Sequence, residues 1–339
     1  MPLFENGFQY TMLKKVLLPF VLLSFVLISC SNDFDLFTER EVIPVVYGLL
    51  SKADTAQYIR IERAFLDENR SAFLVAGEPD SVYFADIRAI LIDPQTNEEF
   101  ELEKVNLTEK GLIRDEGFFP ADPNYVYSID SDVITLKGGE VYILEVFHGD
   151  ELLARSDARV ISDLILRAPT PLQTSLNLQG PARRTFRWDQ ASGAEFYNLR
   201  FFITYDERDA ENGGDFESQM LVWNVASRTD NNIVRVTGDE FLEFLGNAIE
   251  ENPSVLRRFR TINIRLDAGG EELANYVNVA LANTGITAAQ EVPVYTNIEG
   301  GLGLFSSVNH LVSQDYILSS QAIDSLINGR FTANLNFIR

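Results

Sequence analysis

Residues 138–160 read GGEVYILEVFHGDELLARSDARV. Val141 to Phe147 is rich in β-branched and aromatic side chains, His148-Gly149-Asp150 is a turn, and Leu152 to Val160 is a second run. Glycine and aspartate supply the backbone conformations and local hydrogen bonds that a reversal needs, so this stretch predicts a hairpin. The same grammar extends upstream. Ile43 to Leu50 is an apolar run, and Gln57 to Phe65 alternates, with Ile59, Ile61 and Phe65 on one face and Arg60 and Glu62 on the other. Ala85 to Ile92, the turn Asp93-Pro94-Gln95-Thr96-Asn97, Phe100 to Val105 and Tyr125 to Ile129 continue the series. About seven short strands between turn signals in residues 42–167 predict a β-sandwich. Ala168-Pro169-Thr170-Pro171 closes it, which places a boundary near Leu166 to Pro171.

Beyond that boundary, Phe186-Arg187-Trp188 and Gly193-Ala194-Glu195-Phe196-Tyr197-Asn198-Leu199 form a second opening. This resembles a fibronectin type III module, in which a Trp on the second strand and a Tyr on the third fill the sandwich centre. Trp188 and Tyr197 stand at those two positions, and the resemblance implies that they pack together. Helices interrupt the strands. Thr237-Gly238-Asp239-Glu240 reads as a capping box ahead of Phe241, Leu242, Phe244, Leu245 and Ile249. Glu271 to Asn283 and Ser320 to Asn328 are two more candidates, the last with Gly329 as terminator. The expected fold is therefore mostly β. Two β-sandwich domains of immunoglobulin or fibronectin III kind occupy residues 42–167 and 168–339, the second elaborated by two or three short helices.

The N-terminal segment Met12 to Cys30 reads MLKKVLLPFVLLSFVLISC. Lys14 and Lys15 precede an apolar stretch, Val16 to Ile28, shorter than the about 20 residues of a membrane span and suited to a signal peptide. Its end, Leu27-Ile28-Ser29-Cys30, resembles the lipobox of bacterial lipoproteins. That resemblance implies cleavage between Ser29 and Cys30, and diacylglycerol on the Cys30 thiol. Residues 1–29 are then the signal peptide, with Met12 the expected start and residues 1–11 a start-site artefact, and residues 30–41 are a lipidated tether. Ser31 is not the Asp that retains many lipoproteins at an inner membrane. Asp33 and Asp35, separated by Phe34, stand where related lipoproteins carry a surface-export signal, so an outward-facing outer-membrane location is expected.

Three blocks, Ile43 to Leu50 with Tyr58-Ile59-Arg60-Ile61, Gly138 to Val146, and Tyr295-Thr296-Asn297-Ile298-Glu299-Gly300-Gly301-Leu302-Gly303-Leu304-Phe305, complete the picture. With the lipobox they resemble a family of Bacteroidota outer-membrane lipoproteins of unknown function. The resemblance implies a cell-envelope role as a binding or assembly partner, accessory to a TonB-dependent outer-membrane receptor.

Charge and composition narrow the chemistry. Across 339 residues, 50 acidic and 28 basic side chains leave a net charge of −22, which argues against nucleic acid as a partner. One Cys and two His argue against a disulfide framework and a Cys/His zinc site. No nucleophile elbow, zinc-protease or P-loop motif is present, no cofactor is expected, and no residue is assigned a catalytic role. His148 reads as a solvated turn residue and His310 as structural or exposed. The stretch Asp206 to Glu217, with Asp206, Asp209, Glu211 and Asp215 as oxygen donors, is the one metal candidate, set against a solvated loop. Gly300-Gly301-Leu302-Gly303 reads as a tight β-turn or close backbone packing, since no helix opens behind it to bind phosphate. Phe118-Phe119-Pro120 with Tyr125 and Tyr127 is a candidate aromatic platform. Arg257, Arg258, Arg260 and Arg265 read as a charge-balancing face. The expected function is that of a lipid-anchored envelope binding protein, not an enzyme. Its rivals are a surface hydrolase using an Asp/Glu pair, which needs a cleft with two buried carboxylates, and a structural scaffold, which would expose an apolar patch on a sheet.

Overall fold

A computed structural model describes residues 43–64, 75–170, 172–211, 213–283 and 294–339. The signal peptide, Ser29, Cys30 and the tether acids lie outside the described residues. The first strands are β1 (Pro44–Ser51), β2 (Ala56–Arg63), β3 (Arg88–Asp93), β4 (Glu98–Glu101), β5 (Glu103–Asn106), β6 (Tyr125–Asp130), β7 (Val141–His148) and β8 (Glu151–Arg159). They are followed by β9 (Leu166–Ala168), β10 (Ser175–Leu176), β11 (Arg183–Trp188), β12 (Phe196–Asp209), β13 (Gly213–Thr229), β14 (Ile233–Thr237), β15 (Val255–Gly269), β16 (Leu302–Leu318) and β17 (Phe337–Ile338). The helices are α1 (Pro79–Val82), α2 (Gly238–Ala248), α3 (Glu271–Asn283) and α4 (Ser320–Asn328). The fold is mostly β. Among the described residues no helix is long and apolar enough to cross a membrane.

The strands form three sheets. The largest runs β13-β12-β15-β16-β1-β2-β6-β5, with β10 on β16 and β17 on β15; the others run β14-β11-β9 and β4-β3-β7-β8. Apolar alternation decides which face each strand buries. Ile59 and Ile61 of β2 point into a core shared with Val46 and Phe305 of the large sheet and with Leu91, Leu144 and Val146 of the four-stranded sheet. A second core gathers Phe186 and Trp188 of β11, Tyr197 and Phe201 of β12, Ile262 and Ile264 of β15, Phe241 of α2 and Leu326 of α4.

The two cores part between Val160 and Ile161, a few residues ahead of the expected boundary. The large sheet nevertheless passes through both. β1 pairs in parallel with β16, from Val45 opposite Leu302 to Ser51 opposite Val308, and residues 42–339 form one compact unit. The segment 42–167 thus does not close its own sheet; β16 supplies the missing neighbour of β1, and Phe305 enters the first core.

Two local expectations change. Phe100 to Val105 is not one strand: β4 pairs with β3, whereas β5 pairs with β6 in the large sheet. Leu102, buried at the switch with its N–H on the Ala89 carbonyl, lets the chain change sheets while its side chain stays in the core. Glu62, expected on the solvated face of β2, is buried, because Arg60 (3.2 Å) and Arg114 (3.0 Å) close over its carboxylate.

Candidate functional site

The acidic stretch is not a loop for most of its length. Asp206 to Asp209 ends strand β12, and β13 resumes at Gly213, so alternation sends successive acids to opposite faces. Asp206 is buried against Arg258 (3.0 Å) and Arg260 (3.5 Å), and Glu207 lies 2.7 Å from Arg257. The Asp209 side chain accepts from the Glu211 N–H, while Glu211 and Asp215 remain exposed at the turn. The four candidate metal donors Asp206, Asp209, Glu211 and Asp215 therefore do not converge, and no group of three metal-capable side chains exists among the described residues. The arginines serve the acids: Arg265 and Arg200 both hold Asp267, at 2.7 and 2.6 Å.

Buried carboxylates elsewhere follow the same rule. Asp93 accepts from Lys137 Nζ (2.9 Å) and from the Gln95 N–H (2.9 Å). The Lys137 hydrogen bond, aided by Gln95, holds its carboxyl below the usual range although burial opposes this. Glu62 and Asp206 each face arginines, and Asp93, which stands opposite Glu98 in the β3–β4 register, is ion-paired with Lys137, so each of these buried carboxylates has a basic partner. His148 ends β7 in the open, and His310 sits on β16 opposite Asp267.

The aromatic platform divides. Phe118 and Phe119 are exposed, with the Arg114 guanidinium 4.6 Å from the Phe119 ring centre. Tyr125 packs edge-on against Tyr83. Tyr127 lies in the first core, where burial pushes its hydroxyl to about 12. Trp188 and Tyr197 meet in the second core with ring centres 5.5 Å apart, and the Tyr197 hydroxyl accepts from the Ala191 N–H at 2.9 Å. At Gly303, φ is +119° and a Cβ would strike the Val46 carbonyl; at Gly301 it would lie 2.6 Å from the Pro44 carbonyl. These glycines let β16 approach β1.

An open cleft of about 530 Å³ lies between the start of α2 and the end of α4, near Asp239, Leu242, Asn328 and Arg330. A more distinctive feature is β13, which ends the large sheet; β12 is its sole strand partner among the described residues. Its stretch Ser218 to Ala226 carries no charge, and β13 has neither Lys nor Pro. Leu221, Trp223 and Val225 face the second core, with Trp223 stacked on Phe244 at 5.3 Å, whereas Met220 and Val222 are 63% and 41% exposed. This edge was not anticipated, although the alternation of Leu221, Trp223 and Val225 was the available signal. No protein-family model matches the chain, and no curated protein matches it.

Proposed function

We propose that this chain is a lipid-anchored protein of the outer membrane, held by Cys30 and facing outward, that acts as a binding or assembly partner of a TonB-dependent receptor. Its two cores are read as two β-sandwiches that share one sheet. The observation that carries the binding reading is the β13 edge. An exposed strand offers a row of backbone donors and acceptors, and soluble proteins ordinarily guard such edges with Lys, Pro or bulges. Ser218 to Asn224 pairs with β12 in unbroken register and lacks the charge and the Pro that would discourage pairing, the bulges of this ladder falling on either side of it. An extended partner segment would add there as a further strand, with main-chain hydrogen bonds for affinity and side-chain contacts for specificity.

Detergent pull-down from native membranes tests this. An outer-membrane receptor should co-purify with the wild-type chain and be lost with Met220→Lys/Val222→Lys, whose side chains point away from the core. Failure of any receptor to co-purify would remove the partner reading and leave the scaffold. Metabolic labelling with an alkyne fatty acid tests the anchor: label should disappear in Cys30→Ala.

A further inference from the structure

We infer that the outward face of β1 and β2 rests on the lipid bilayer, a second membrane contact besides the acyl chains. Ile43, Tyr47 and Leu49 of this face are each more than a third exposed, as are Tyr58 across on β2 and Leu302 beside Val45. Gly48 pairs with Ile59, which sets Leu49 and Tyr58 side by side. Phe119 joins the patch through Arg114, which reaches Glu62, the residue opposite Val45. Contiguous exposed apolar surface of this kind marks an interaction site. Tyrosines suit a bilayer interface, where an apolar ring meets acyl chains and a hydroxyl stays wet.

Three observations favour lipid as the occupant. The first is reach, and it rests on the lipidated-tether reading. Cys30 and Ile43 are thirteen residues apart, so the chain between them spans at most about 45 Å. Ile43 belongs to the face itself, so the anchor holds this surface close to the headgroups. The second is charge. Glu62 sits between Arg60 and Arg114, which offset its charge in a chain of net charge −22, while α3 borders the face, with Tyr276 edge-on to Tyr47 and Glu272 accepting from the Ser306 hydroxyl beside Leu49. The third is the opposite end of the sheet. β16 runs seventeen residues from Leu302, about 50 Å at about 3.3 Å each. β15 and β12 continue that way, to Val255 paired with Asp209. The exposed acids of the β12–β13 turn thus lie at the end remote from the anchor, where anionic lipid would not repel them.

The test uses the lipidated chain in phosphatidylcholine vesicles. Cys30 is the only cysteine, so once acylated it leaves a new one at Tyr58→Cys as the single site for an environment-sensitive dye. Emission at position 58 should shift to the blue and be quenched by brominated acyl chains. The same dye at Leu172→Cys, an exposed position next to the strand that pairs with the far end of β16, should show neither effect. Tyr47→Asp/Leu49→Asp should abolish the shift at 58 while the protein still floats with the vesicles. A chain that floats but keeps a water-like signal at 58 overturns the inference, as would a shift that appears only when a partner protein is added. If the chain does not float, the anchor reading has failed. The mature chain, now with Cys30→Ser so that position 58 is again the single thiol, is then held by an N-terminal polyhistidine tag on nickel-chelating lipid, and the same shift or its absence decides.

Discussion

At the residue scale, the second core depends on Trp188, buried between β11 and β12. Trp188→Ala should cost about 3–5 kcal/mol through lost contacts and the cavity left behind, read as a lower denaturant midpoint. Tyr197→Phe should cost about 1–3 kcal/mol, because the Ala191 N–H loses its acceptor. Asp93 and Lys137 have an opposite pair of pH limits. The Asp93 pKa is depressed, so its contribution is complete above the ordinary carboxyl range and is lost as pH falls through the lower folded-state value. The Lys137 pKa is raised by the hydrogen bond to Asp93, so its contribution is complete below the ordinary lysine value and is lost as pH rises through the higher one. Asp93→Asn should lower the melting temperature at neutral pH and flatten its decline in acid. An unchanged acid limb in thermal scans would refute that assignment.

At the scale of elements, α2 begins with a reciprocal cap: the Thr237 hydroxyl accepts from the Glu240 N–H, and the Glu240 carboxylate accepts from the Thr237 N–H. Thr237→Ala should cost about 1 kcal/mol. Gly303→Ala should cost more than about 1 kcal/mol, since it combines a left-handed backbone with a collision against β1. Gly117→Ala, in open space, should be near neutral by the same chemical-denaturation assay. Much at this scale was legible. The capping box, the hairpin at His148-Gly149-Asp150 and the alternation of Ile59 and Ile61 are local signals, and local signals survive folding. Gly329 was legible only in part. It ends α4 with φ of −75°, not in the left-handed region, and is needed because a Cβ would strike the Ser325 carbonyl. The sheet switch at Leu102 and the ion-paired Glu62 depend on partners far along the chain, Ala89 and Arg114, which no period within β4, β5 or β2 announces. The edge position of β13 was illegible for the same reason, because strand order is a property of pairing.

At the scale of the whole molecule, the shared sheet predicts how the chain divides. Residues 42–167 expressed alone should lack a cooperative unfolding transition, because β1 would have a bare edge and the first core would lose Phe305. Co-expression with residues 168–339 should restore it, as judged by circular dichroism and calorimetry. A sharp transition from the isolated fragment would show that β6, β2 and β1 suffice.

The parallel pairing of β1 with β16 also sets an order of events in time. About 250 residues separate these neighbours, so their contact raises the contact order and closes late. Among the described strands, β1 is made first and waits for β16, the last but one. Until β16 is made and docked, the first core lacks Phe305 and stays open along the β1 edge.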